Sequence, residues 1–250
     1  LVTKLDPAHE PCGKSLIYTE NGDVYSASSV IIATGAIPRH LNIPGEKELY
    51  GSGVSTCATC DGAFFKDQDV AVIGGGDTAV EDAIFLSRYA NKVYMLVRGT
   101  DLRASGPEKL LLEEETRKDN PKIQIMRQTV ATQIIPTKSL NRVSALNIVS
   151  HGIEGQIKVN GVFVAIGRDP NSKFLVNSGV ALDPEGYIKV KDQSQEVQSD
   201  KNSIFGVFAA GDVVDRRYRQ AITSAGRAVE AALDAREYLL SAKHALASII

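Results

Sequence analysis

The segment CATCDG, residues 57 to 62, sets two cysteines three positions apart and follows them with an acid and a glycine. Thiols at that spacing can close a disulfide across a tight turn, and a thiolate there is stabilised by its neighbour and by local dipoles. Asp61 directly follows Cys60, where a carboxylate could deliver or accept the proton that dithiol–disulfide exchange requires. Other readings stand beside this one: half of a zinc site, a pair of inert buried thiols and, for Asp61, a plain turn position ahead of Gly62. Zinc needs four ligands, yet no second C-x-x-C exists, and His9, His40, His151 and His244 show no paired metal spacing. No metal is expected.

A second constellation begins 14 residues after Cys60, where Gly74-Gly75-Gly76-Asp77-Thr78-Ala79 fits the pattern G-x-G-x-x-A. It follows the apolar run VAVI and opens a helical pattern. The first glycine then permits a tight turn, Gly76 lets a pyrophosphate approach the backbone, and Ala79 allows close helix–strand packing. Free N–H groups and the positive end of the helix dipole face the phosphates. A site for NAD would carry an acid at the end of the next strand to hold the ribose hydroxyl. That strand ends instead in Arg98, and Arg103 lies on the same loop, MLVRGTDLRAS. Guanidinium forks suit a 2′-phosphate, so the reading is NADPH. A glycine turn without ligand, and two solvated arginines, are the plain alternatives.

These groups need elements to hold them. Asn21-Gly22-Asp23 between two apolar-rich runs is the turn chemistry of a β-hairpin, and Val30 to Ala33 reads as a short buried strand. A strand from Asp69, a helix from about Thr78 to Tyr89 and a strand from Val93 to Val97 follow. Helical RASGPEKLLLEEETRK comes next, then strands around IQIM, TQIIP and ALNIVS, and the buried strand Gly161 to Gly167 closes on Ile166 and Gly167. The fold class is α/β, with a nucleotide-binding domain in mid-chain. A long alanine-rich helix, about Gln220 to Leu240, ends the pattern. It belongs to the returning half of a domain begun before residue 39.

Composition narrows the partners. The 250 residues carry 28 basic and 30 acidic side chains, a net charge of −2, which gives no footprint for nucleic acid or an anionic membrane. No apolar stretch reaches bilayer-spanning length. Three cysteines, Cys12, Cys57 and Cys60, are too few for a secreted disulfide framework, so a reducing, cytosol-like compartment is expected, with an organelle left open. Cys12 has no assigned role.

CATCDG followed by VAVIGGGDTAVEDA, and later by VFAAGDVVD and YRQAITSAG, resembles the low-molecular-weight, bacterial and plant type of thioredoxin reductase. The resemblance runs from the IIATGA strand through the C-terminal helix, in that family's order. It implies two Rossmann-like dinucleotide-binding domains, a homodimer, and electron flow from NADPH to FAD, then to a Cys57–Cys60 disulfide, then to thioredoxin. Cys60 would face the flavin, Cys57 would attack thioredoxin, and Asp61 would be the acid–base group. Gly211 and Asp212 would hold the ribityl chain, with Arg219, Gln220 and Ala221 beside the isoalloxazine ring. On the nucleotide side the site would comprise Gly74, Gly76, Asp77, Thr78, Ala79, Arg98, Arg103, Ile166 and Gly167.

The expected domains are residues 1–38 and 173–250 for FAD, interrupted by 39–172 for NADPH and the disulfide. Rotation of the inserted domain about residues 39–45 and 168–173 would bring nicotinamide and disulfide to the flavin in turn. Two departures from the family stand out. Its NADPH loop reads arginine-arginine where this chain has Arg98-Gly99, which weakens the preference over NADH. Its first glycine fingerprint, for the ADP half of FAD, has no counterpart, so the expectation is an N-terminally truncated chain lacking a first βαβ unit of at least ~30 residues. Rival readings are a ferredoxin-dependent or peroxide-reductase-linked flavoprotein of the same architecture, and a non-catalytic nucleotide-binding module.

Overall fold

A computed structural model describes residues 1–139, 141–200 and 203–247. They fall into two compact units, Leu1–Ile37 with Arg168–Ile250, and Pro38–Gly167. The outer unit opens with β1 (Val2–Asp6), β2 (Ser15–Thr19) and β3 (Val24–Ala27), an antiparallel sheet in that order. Its β2–β3 turn is the expected hairpin, with Gly22 at φ +86°, a value only glycine adopts without strain. Next come β4 (Val30–Ile32) and β5 (Ala36–Pro38).

The middle unit begins with β6 (Val54–Ser55) and the single turn α1 (Ala58–Asp61), then β7 (Asp69–Ile73), α2 (Asp77–Ser87), β8 (Lys92–Val97), α3 (Glu108–Thr116) and β9 (Ile123–Arg127). A three-stranded antiparallel sheet follows, from β10 (Thr129–Pro136), β11 (Val143–Ser150) and β12 (Ile153–Lys158). The chain then returns as β13 (Gly161–Val164) into a parallel sheet of order β6-β13-β7-β8-β9.

Strand periodicity explains the layering. Val70 and Val72 of β7, Val93, Met95 and Val97 of β8, and Phe163 of β13 point to one core with Ala79, Val80, Ala83 and Leu86 of α2. Ala71, Ile73, Leu96, Val162 and Val164, the alternate residues, point to a second core with Ile134 of β10 and Leu146 and Ile148 of β11. Helices therefore cover one face of the parallel sheet and the antiparallel sheet covers the other, which is why its strands read as continuous apolar runs.

The outer unit resumes with β14 (Arg168–Pro170), paired with β5, then β15 (Val207–Ala209), parallel to β4, and α4 (Ala221–Ala247). Residues 168–172 cluster with it, and the Ser172 hydroxyl donates to Gly186 O at 2.5 Å. Alternation holds here too: Val207 and Ala209 face one core, while Phe208 and Ala210 face Ala231 and Ala235 of α4.

Each unit closes the gap that the other's chain leaves in it. In the middle unit, Arg39 N–H donates to Gly167 O at 3.0 Å. In the outer unit, the Thr34 hydroxyl donates to Asn171 O at 2.6 Å, and Asn171 N–H and Nδ2 donate to Gly35 O at 2.9 Å and Thr34 O at 2.8 Å.

Three local expectations differ from the structure. The helix expected from Arg103 starts only at Glu108, after Pro107, because residues 103–106 are drawn back onto the glycine turn. β12 lies outside the expected strands: it is a short, mostly exposed edge with Glu154, Gln156 and Lys158 on one face and only Ile153, Gly155 and Ile157 on the other, set by the His151-Gly152 turn, both residues at positive φ. α4 runs on to Ala247, past the expected end at Leu240.

Candidate functional site

Cys57 and Cys60 are joined in a disulfide on the turn of α1. Cys57 is the cap of that turn, with extended backbone, and its sulfur accepts Cys60 N–H at 3.2 Å. Upstream, the buried Ser55 hydroxyl accepts Cys57 N–H at 3.0 Å and fixes the entry to the turn. Asp61 N–H donates to Cys57 O at 3.2 Å, so its half-buried carboxylate stands one residue past the bridge. Gly62 seats the turn: a methyl there would crowd Leu86 and Phe85 at 3.0 and 3.2 Å, in the last turn of α2.

The glycine turn lies at the other end of the same helix, about 15 Å away at 1.5 Å per residue. A methyl on Gly74 would strike the carbonyl of Ala165 and come within 2.8 Å of the Ala79 methyl, so only glycine permits β7, β13 and α2 to meet here. Gly76 is the cap of α2 and has open space beside it. This is the carboxyl end of β7, with β8 on one side and β13 on the other, the crevice in which doubly wound sheets hold ligands. Open N–H groups beside a glycine that nothing larger can replace fit a dinucleotide pyrophosphate. Thr78 is exposed in the first turn, Ala79 is buried, Ile166 packs on the second core, and Gly167 is exposed at φ +109°.

The loop after β8 folds over that turn. Arg103 and Ala104 N–H both donate to Gly75 O, at 2.7 and 3.2 Å. Asp77 Oδ1 accepts Ser105 N–H at 2.8 Å and Gly106 N–H at 3.0 Å. The amides of Gly106 and Ser105 hold this carboxyl below its ordinary value. The side chains of Arg98 and Arg103 are exposed, and among the described residues neither guanidinium has a hydrogen-bond or ion-pair partner in the protein.

A second cleft, of about 560 Å³, lies wholly in the outer unit and is lined by Gly35, Gly211, Asp212, Arg219, Ala221 and Ser224, among others. Small residues leave the room, and Asp212 supplies the charge: it accepts the Ser224 hydroxyl at 3.1 Å and pairs with Arg168 at 3.6 Å. Arg219 has φ +53° and a buried Nε without a partner, an orphan donor at the cleft wall, while Gln220 leads directly into Ala221 at the start of α4. An open cleft with an unmet donor at a helix start fits the polar edge of a flavin.

That wall is shaped by a residue the sequence reading did not single out. Asp215, 2% exposed, accepts Arg217, Tyr218 and Arg219 N–H at 2.9, 2.9 and 3.1 Å, and the Thr223 hydroxyl at 3.3 Å. Burial raises this carboxyl, but the three amides and the positive Arg227 outweigh it and hold it below the usual range. The signal available in the sequence was an Asp shortly ahead of a helix, the pattern of a side chain that bonds the amides just after it. Ser55 and the buried Glu46, whose carboxylate accepts Leu41 and Asn42 N–H at 2.9 and 2.7 Å, left no comparable trace.

Among the described residues, no group of three His, Cys, Asp or Glu can hold a metal ion, and no helix is long and apolar enough to cross a membrane. The family model for pyridine nucleotide-disulphide oxidoreductases matches residues 2–231. A thioredoxin reductase of Mycolicibacterium smegmatis is 48% identical over 217 residues, which are 87% of this chain and 66% of that protein. A bifunctional thioredoxin reductase/thioredoxin of Mycobacterium leprae is 46% identical over 92% of this chain and 47% of its own length. The chain thus spans two thirds or less of these curated relatives. The crystal structure of thioredoxin reductase from Streptococcus pyogenes superposes with a TM-score of 0.82 at 35% identity, covering 96% of this chain and 74% of that one. The family model over most of the chain and the likeness to these relatives agree with a disulfide seated against the helix that opens at the glycine turn: the chain belongs to the pyridine nucleotide-disulphide oxidoreductase family, on its thioredoxin-reductase branch.

Proposed function

We propose that the protein containing this chain is an NADPH-dependent thioredoxin-disulfide reductase in which electrons pass from NADPH through FAD to the Cys57–Cys60 bridge, and from the resulting dithiol to oxidised thioredoxin. The observation that carries this reading is the closed disulfide on a turn seated against α2, the helix whose other end carries the glycine turn. FAD, when bound, converts the two-electron hydride of NADPH into electrons that can open a disulfide. In balance, NADPH, a proton and the bridge give NADP⁺ and two thiols.

The chain's own residues supply position and protons. Gly74, Gly76, Thr78 and Ala79 open the helix end to the pyrophosphate, Ile166 and Gly167 border the same crevice, and Arg98 and Arg103 offer guanidinium groups to the 2′-phosphate. Gly211 and Asp212 hold the flavin's ribityl hydroxyls. Arg219, Gln220 and Ala221 direct the start of α4 at the edge of the ring where negative charge gathers on reduction. Cys60 is the sulfur that faces the flavin, and Cys57 attacks the thioredoxin disulfide. Asp61 protonates the departing thiolate and takes the proton back when the dithiol reoxidises. Homodimeric assembly and a reducing, cytosol-like compartment belong to the same reading.

The test is Cys57→Ser in the full-length, flavin-loaded protein. NADPH should still bleach the flavin in stopped flow, while thioredoxin reduction falls to background. Loss of both activities assigns the sulfurs wrongly. A wild type that oxidises no NADPH when thioredoxin is added removes the function itself.

A further inference from the structure

The loop between β8 and α3 carries the two arginines offered to the 2′-phosphate, and four backbone hydrogen bonds tie it to the glycine turn and the start of α2. Two run to Gly75 O from Arg103 and Ala104. On this stretch Leu102 packs against the helix-side core and Ala104 is buried in it, so Arg103 between them is turned outward beside the glycines. The other two run from Ser105 and Gly106 to one oxygen of Asp77. A carboxylate in the first turn of α2 would repel a phosphate if it were aimed there. Here its charge is engaged by the two amides of the loop instead, which also accounts for a carboxyl that is easily ionised.

We propose that Asp77 is a positioning residue for 2′-phosphate selectivity: it clamps Ser105 and Gly106 to the start of α2, which fixes where Arg103 and Arg98 hold their guanidinium groups, and it does not itself hold the nucleotide. Where the sequence has Gly99 after Arg98, a second adjacent guanidinium is missing, so discrimination rests on the placement of the two that remain. The inference rests on the NADPH reading above, and it separates Asp77 from the residues that line the pyrophosphate site.

The experiment uses the full-length protein with its flavin bound, so that no adenosine ligand enters the flavin site. Calorimetric titration measures binding of adenosine 2′,5′-bisphosphate and of AMP to the wild type, Asp77→Ala and Asp77→Asn. Asp77→Ala should weaken the bisphosphate about tenfold and AMP less than about twofold. Asp77→Asn keeps an oxygen that can accept both amides, and should recover to within about threefold of the wild type. Should Asp77→Ala not fold, Asp77→Glu carries the same test, since it keeps the charge but displaces the acceptor by one methylene and should also lose the preference. Equal weakening of both ligands, or a preference that survives, overturns the inference alone. A wild type that binds the two ligands equally overturns the NADPH reading and the inference with it.

Discussion

The sulfur of Cys57 accepts the backbone N–H of Cys60 across the very turn that their bridge closes. When the bridge opens, a donor already in place favours negative charge on this sulfur, which supports the proposed role of Cys57 as the nucleophile of the pair. In reduced protein near pH 7, a limiting amount of iodoacetamide should label Cys57 about tenfold faster than the half-buried Cys12, and ahead of the more exposed Cys60. Peptide mass spectrometry reads the order, and prior labelling of Cys60 would reverse the assignment.

Ser55 should tune that preference. Ser55→Ala removes the acceptor of Cys57 N–H, at a cost of roughly 1 kcal/mol in stability, and releases the cap that aims the sulfur. The labelling ratio of Cys57 to Cys60 should fall in Ser55→Ala and return in Ser55→Thr. An unchanged ratio would make the serine a structural residue only.

Gly74→Ala tests the crevice. Its methyl has no space between Ala165 and Ala79, so β7 and β13 must part or α2 must shift. The expected cost is about 1–3 kcal/mol in thermal stability, with at least a tenfold loss of NADP⁺ affinity by titration. Gly76→Ala, facing open space, should be much milder in stability and still impair binding. Equal stability losses at the two positions would refute the packing argument.

Much of this site was legible because its signals are local. A strand, three glycines and a helix start lie within a dozen residues, and each constrains the next through turn geometry. The cysteine pair declares itself the same way, as does the Asn21-Gly22-Asp23 hairpin. What Asp77 and Asp215 do was not legible for opposite reasons. Asp77 sits inside the fingerprint and was read with the nucleotide, yet its bonding partners are 28 and 29 residues away, brought near only by the return of the loop. Asp215 bonds its own neighbours, but an acid before a helix is so common a turn residue that only burial shows its weight. The alanine pattern of α4 predicted a helix without fixing its end, since nothing in its composition stops it at Leu240.

Asp215 also sets a pH dependence. Its folded-state carboxyl titrates below the ordinary 3.8, so its contribution is fully present above that value and is lost as pH falls through the lower folded value. Asp215→Asn keeps one oxygen for Arg217 and Tyr218 but turns an amide nitrogen toward Arg219 N–H. The variant should lose about 2 kcal/mol at pH 7 in urea unfolding and show a flatter stability profile below pH 4. A variant with the wild-type slope in that range would leave the acid response to other carboxylates.

The clasp between Arg39 N–H and Gly167 O, with its counterpart around Thr34 and Asn171, bears on how far the inserted segment stands alone. Each piece already fastens its own cut ends. Excised at those ends, the Pro38–Gly167 segment should therefore fold by itself, which far-UV circular dichroism and thermal melting of the isolated piece would check.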